Sequence, residues 1–188
     1  MKTIKIITLA LIASLSFSSC SDDDDNPEPV NEEEVITTAN ITLTPTSGGD
    51  AIVLSSRDLD GADGPDAPDV TGGTLAANTT YTASIELLNE IEDPAEDVTL
   101  EIEEEDEDHQ FFFTTTLADT TFSYTDEDED GYPIGLSFSV TTGESAMGTI
   151  TISLVHEPNK SASGVEDGDI SNTGGETELV LSFPITIE

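Results

Sequence analysis

From Ile36 to the carboxyl end, apolar side chains recur at every second position in one segment after another, so each segment can turn one face to a core and the other to water. Only an extended backbone has that period. The last segment is the clearest: Leu179, Leu181, Phe183, Ile185 and Ile187 alternate without a miss. Pro184 falls on the opposite face, where a residue lacking an N–H predicts an edge position or a bulge. Thr80 to Leu88 places Tyr81, Ala83, Ile85 and Leu87 on one side. Ile134 to Thr142 does the same with Ile134, Leu136, Phe138 and Val140, and Gly148 to Val155 with Ile150, Ile152 and Leu154. The short stretch between those two segments predicts a hairpin. Ile41 with Leu43, Ala51 to Ser56, His109 to Thr116 and Thr120 to Thr125 complete the set. With Thr and Ser on many outward positions, the pattern predicts an all-β fold, a single immunoglobulin-like antiparallel β-sandwich over residues 36–188, with a barrel as the nearest competitor.

One stretch departs from this period. Asp93-Pro94-Ala95-Glu96 carries an acid at a cap position, a proline at the first helical position and a glutamate three residues after the cap. It predicts a short acidic helix from Pro94 to Glu107, with Val98 and Ile102 turned inward. The rival is an exposed acidic strand in which Leu100 and Ile102 face the core. Phe111 and Phe113 point one way along their strand and Phe112 the other, so at least one face of that strand should enter the core.

The amino end reads as an address. Lys2 and Lys5 precede an apolar run from Ile6 to Phe17, too short to span a bilayer, and small residues lead to Cys20, the single cysteine. Residues 1–19 are expected to be a lipoprotein signal peptide, with Cys20 carrying a covalent lipid that anchors the chain to a membrane. Ser21, Asp22, Asp23, Asp24 and Asp25 follow at once and resemble the surface-export signal of Bacteroidota lipoproteins. That resemblance implies an outer-membrane lipoprotein exposed on the cell surface. Residues 20–35 are expected to form a disordered acidic linker.

Four Lys and Arg face 41 Asp and Glu, a formal net charge of −37, and only Arg57 and Lys160 lie beyond the signal segment. Such a surface repels nucleic acid and anionic lipid head groups, which leaves metal ions and other cations as its small partners. The same charge also serves solubility alone. No serine elbow, zinc-protease helix or phosphate loop is present, so an enzyme is not expected. The absence of Trp argues against carbohydrate capture.

Three groups of residues could hold a cation. Asp126, Asp128 and Asp130, alternating ahead of Gly131, offer half of a calcium loop, although the position where an EF-hand needs its bidentate glutamate is Ser137. Asp58, Asp60 and Asp63, interleaved with Gly61 and Gly64, form a second acidic loop, with Glu166 to Asp169 a weaker third example. For the first loop the alternative is an ordinary polar hairpin turn, and for the other two a floppy acidic loop. Glu101, Glu105 and His109, four residues apart, suit a transition metal such as Zn, Cu or Fe, and His156 could join them only if the fold brings it near.

Residues 109–113, 124–138, 156–170 and 174–187 together resemble a family of flavobacterial lipoproteins catalogued as "type 1 periplasmic binding fold superfamily protein". That title implies a bilobed α/β fold of about twice this size, which the strand pattern excludes. The resemblance further implies association with an outer-membrane TonB-dependent receptor, and it assigns no functional residue. The expectation is a surface lipoprotein that binds a cation or a metal-containing solute as accessory to such an importer. The alternative is a structural or adhesive module whose loops are stiffened by Ca2+.

Overall fold

The computed structural model describes residues 34–61 and 64–188. The expected signal peptide, Cys20, the expected export signal Ser21 to Asp25, and Asp63 lie outside the described residues. The first sheet contains β1 (Thr38–Pro45), β2 (Ile52–Arg57), β3 (Asp69–Thr71), β5 (Thr80–Asn89), β8 (Thr121–Tyr124) and β9 (Ser137–Thr141), in the order β3-β2-β1-β5-β9-β8; β6 (Glu96–Asp97) adds to one end of β5. The second sheet contains β4 (Gly73–Leu75), β7 (His109–Thr115), β10 (Ala146–His156) and β11 (Glu176–Ile187), in the order β4-β11-β10-β7. Every pairing is antiparallel except β4 with β11. The two sheets make a sandwich and not a barrel.

The period-two faces meet in one core. Ile41 and Leu43 of β1, Tyr81, Ile85 and Leu87 of β5, and Phe138 and Val140 of β9 pack with Ile150, Ile152 and Leu154 of β10 and with Leu181, Phe183, Ile185 and Ile187 of β11. Each such side chain contributes about 1.5–3 kcal/mol by leaving water, so the alternation alone drives the two layers together. Phe111 enters this core, and Phe113 stacks on Phe138 with ring centroids 4.1 Å apart. Phe112, on the opposite face, packs with Val155 and Val165 under the long connection from β10 to β11, so both faces of β7 are covered.

Three sequence expectations are corrected. The expected hairpin between Ile134–Thr142 and Gly148–Val155 is instead a passage from one sheet to the other, because β9 pairs with β5 and β8 whereas β10 pairs with β7 and β11. The apolar faces of β9 and β10 satisfy each other across the core, which alternation cannot distinguish from side-by-side pairing. The helix is shorter than expected: α1 spans Val98–Glu104, with Asp97 as its cap accepting a hydrogen bond from the Thr99 N–H at 3.1 Å. Asp93 does not start it, because Glu96 and Asp97 are drawn into pairing with Asn89 and Leu88. Glu105 is its C-cap, its last turn carries no basic residue, and the chain enters β7 at His109. Val98 and Ile102 are buried and Leu100 is exposed, as a helix requires.

Pro184 sits inside β11 but just before the point where β4 joins that strand, at Ile185 opposite Gly73. From there toward Glu176, β11 pairs only with β10, so one of its sides is open. The irregularity of β11 lies elsewhere. Leu154 faces Leu179 and Val155 faces Thr177, which leaves Glu178 as the extra residue of a β-bulge.

Candidate metal centre

At the end of the second sheet, β7 and β10 pair so that His109 stands directly opposite His156, with ring centroids 4.9 Å apart. The bulge in β11 turns Glu178 toward the same point. Its Oε2 lies 3.7 Å from His109 Nε2 and its Oε1 3.7 Å from His156 Nδ1. A fourth side chain arrives from the segment leading into β1: Glu34 Oε1 is 3.1 Å from His109 Nε2. All four are shielded from water, with side-chain exposures of 0% for His109, 10% for His156, 3% for Glu178 and 7% for Glu34.

Hydrogen bonding fixes how His109 is used. Its Nδ1 lies 3.0 Å from the Glu105 carbonyl, an acceptor, so Nδ1 carries the proton and donates. Nε2 then faces Glu34 and Glu178. Neither His109 Nε2 nor Glu34 Oε2 makes a hydrogen bond, although both are buried. Buried carboxylates beside an imidazole call for positive charge at that place, which a proton on Nε2 or a bound cation supplies. An imidazole oriented through its far nitrogen by a backbone carbonyl is the arrangement of a metal-bound histidine.

The spacing also suits a metal. With bonds of 2.0–2.1 Å, ligand atoms around a tetrahedral zinc ion lie about 3.3 Å apart. Single contacts of 3.1 and 3.7 Å lie near that value, and the ligand atoms of each group lie within 4.8 Å of one another, wider than a bound ion would hold them. His109, His156 and Glu178 form one group with donor atoms within 4.8 Å of one another, and Glu34, Glu105 and His109 form a second that shares His109. Two imidazoles with carboxylates select zinc, copper or iron over calcium, which takes six to eight oxygen ligands.

The sequence triad Glu101, Glu105 and His109 is therefore divided. Glu105 and His109 are together, but by a helix end folding back onto a strand and not along one helix face. Glu101 remains exposed on α1, outside both groups. Partial loss of water, with the like charges of Glu96, Glu34 and Glu105, holds its carboxyl above the usual range. His156, conditional in the sequence, is brought in by strand pairing. Glu34 and Glu178 gave no sequence signal: one was counted with the linker, and the other occupies an alternating strand where only the bulge turns it inward.

The acidic loops are built differently. Asp126 accepts from the Gly135 N–H at 2.8 Å and from the Ser137 N–H at 2.7 Å, one on each oxygen. Asp128 accepts from the N–H groups of Asp130 and Tyr132 on Oδ1 and from the Lys160 ammonium, 2.8 Å away, on Oδ2. Burial pushes the Asp128 carboxyl up, but Lys160 and the two N–H groups outweigh it and hold it below the usual range. Asp130 is exposed, and among the described residues these three acids form no ligand group. In the other loop Asp58 accepts from the Gly61 N–H and Asp60 from the Asp66 N–H, as polar turns do.

No family model matches this chain, and neither a search of curated proteins nor one of solved structures finds a match.

Proposed function

We propose that this protein is a cell-surface lipoprotein that captures a divalent transition-metal ion, as the free ion or in a small complex, and passes it to an outer-membrane TonB-dependent importer. The observation that carries this reading is the convergence of His109, His156 and Glu178, with donor atoms within 4.8 Å of one another, beside a second group of Glu34, Glu105 and the same His109, whose Nε2 lacks a hydrogen bond. The ion supplies the charge that makes this arrangement favourable. His109, His156 and Glu178 are its ligands, Glu34 stands beside His109 Nε2, and the Glu105 carbonyl orients that imidazole. The anchor and surface address rest on the sequence from Lys2 to Asp25, and the carboxylate-rich exterior raises the local concentration of cations.

A second reading is a metal staple without transport. The ligands His109, His156 and Glu178 come from three separate strands in a domain that lacks cysteine, so an ion would tie them together as a disulfide might. Elemental mass spectrometry of the purified chain, paired with recovery of membrane partners from intact cells, separates the two. Capture and transfer predict about one equivalent of zinc, copper or iron, exchange within minutes and a co-purifying receptor. A staple predicts the same ion held without exchange and no receptor. If no transition metal is retained after loading and dialysis, neither reading survives.

A further inference from the structure

On one side of the sandwich both sheets end: β8 closes the first and β7 the second, and among the described residues each has a strand partner on one side only. Register shows which backbone groups point outward. In β7 the Phe111 N–H turns away from β10 and bonds to the Ile134 carbonyl, so Phe113 and Thr115, of the same parity, also direct theirs away from β10. In β8 the Thr125 N–H bonds to the Ser137 carbonyl on the β9 side, so Phe122 and Tyr124, of opposite parity, direct theirs away from β9. Such an edge is a template for another strand.

A cleft of about 630 Å3 lies along these edges. Phe113, Phe122 and Tyr124 line it, all partly buried, with the Phe113 ring centroid 5.4 Å from Phe122 and 5.6 Å from Tyr124. Glu166 and Asp167, both exposed, add negative charge, and Thr120 Oγ1 is buried there without a hydrogen-bond partner. Tyr124 and Glu166 also line a second cleft of about 500 Å3 that reaches Asp126 and Glu127. Neither Arg57 nor Lys160 lines either one.

We infer that this groove receives an extended, basic peptide segment of a partner protein, which adds as a strand to the free edge of β8. Its backbone pairs with Phe122 and Tyr124, its apolar side chains cover the aromatic rings, and its Lys or Arg side chains meet Glu166, Asp167 and Glu127. Two clefts in line along residues 120–127 suit an extended chain better than a compact small molecule. Charge excludes the nearer candidates. The chain's own amino-terminal stretch carries Asp22 to Asp25, Glu28 and Glu32 to Glu34, and a second copy brings a net charge of −37, so both are repelled. The inference is independent of the metal-binding reading.

Fluorescence anisotropy of a short labelled peptide alternating valine with lysine, titrated with the full chain at physiological salt, tests this. Two further versions carry N-methyl groups on one backbone edge or on the other, with charge unchanged. One is expected to bind at least about tenfold more weakly than the parent and the other to match it, because an added strand pairs through a single edge. Equal binding of both versions, or no binding of the parent, overturns strand addition. Glu166→Gln with Asp167→Gln should weaken the parent peptide several-fold, whereas Glu103→Gln with Glu104→Gln, the same charge change on α1, should not. Equal weakening by the two pairs overturns the groove as the site. A chain that sediments as a dimer, and as a monomer with Phe122→Ala, would assign the groove to a second copy and also overturn the proposal.

Discussion

In the turn at residues 126–131 and at the His109 end of the second sheet, carboxylates are crowded to a similar degree, yet their surroundings differ. Asp126 and Asp128 each find protein donors for both oxygens: backbone N–H groups for Asp126, and N–H groups with the Lys160 ammonium for Asp128. Glu34 and Glu178 meet imidazoles instead, and Glu34 Oε2 has no donor. The first region uses acids to hold its own backbone, and the second sets them against histidine side chains. Density of acids in a sequence thus marks neither role. What separates them is whether the fold supplies N–H groups and ammonium at the same place.

The largest effect is expected at the second region. His109→Ala removes the nitrogen shared by both ligand groups and should abolish stoichiometric zinc retention, measured by elemental analysis after dialysis, while Asp126→Asn and Asp128→Asn retain it. Retention by His109→Ala would erase the distinction between the regions. Next is the buried pair of the first region. Lys160 and Asp128 have side-chain exposures of 5% and 1%, so Lys160→Met strands a buried carboxylate and should destabilise the domain by about 3–5 kcal/mol in urea. Asp128→Asn added to it should recover part of that loss, a coupling read from the double-mutant cycle.

Acid titration sharpens the same contrast. The Asp128 carboxyl is held below its unfolded value, so its stabilisation is complete above about pH 4 and disappears as pH falls through the depressed folded value. Acid unfolding of the wild type should therefore be steeper below pH 4 than that of Asp128→Asn, and parallel curves would show that Lys160 contributes nothing there. A smaller effect is expected of Asp126→Ala, which forfeits two hydrogen bonds to a charged acceptor and should cost about 1–3 kcal/mol in urea. Millimolar calcium should leave the melting temperature of the zinc-loaded wild type nearly unchanged. A calcium-dependent rise that Asp126→Ala removes would restore the 126–131 turn as a cation site.

The extended segments and their inward faces were legible in the sequence because alternation is local: each residue's face depends only on its own strand. Val98 and Ile102 were legible for the same reason, although the start of α1 was not, since the pairing of Glu96 and Asp97 with β5 reset it. The candidate metal centre was only half visible. His109 and Glu105 are four residues apart and could be associated by spacing, but His156 joins them through strand register, Glu178 through a one-residue bulge, and Glu34 through the path of the chain into β1. Those three placements depend on which strands become neighbours and at what offset. Core packing of the whole domain decides that, and no window of sequence contains it.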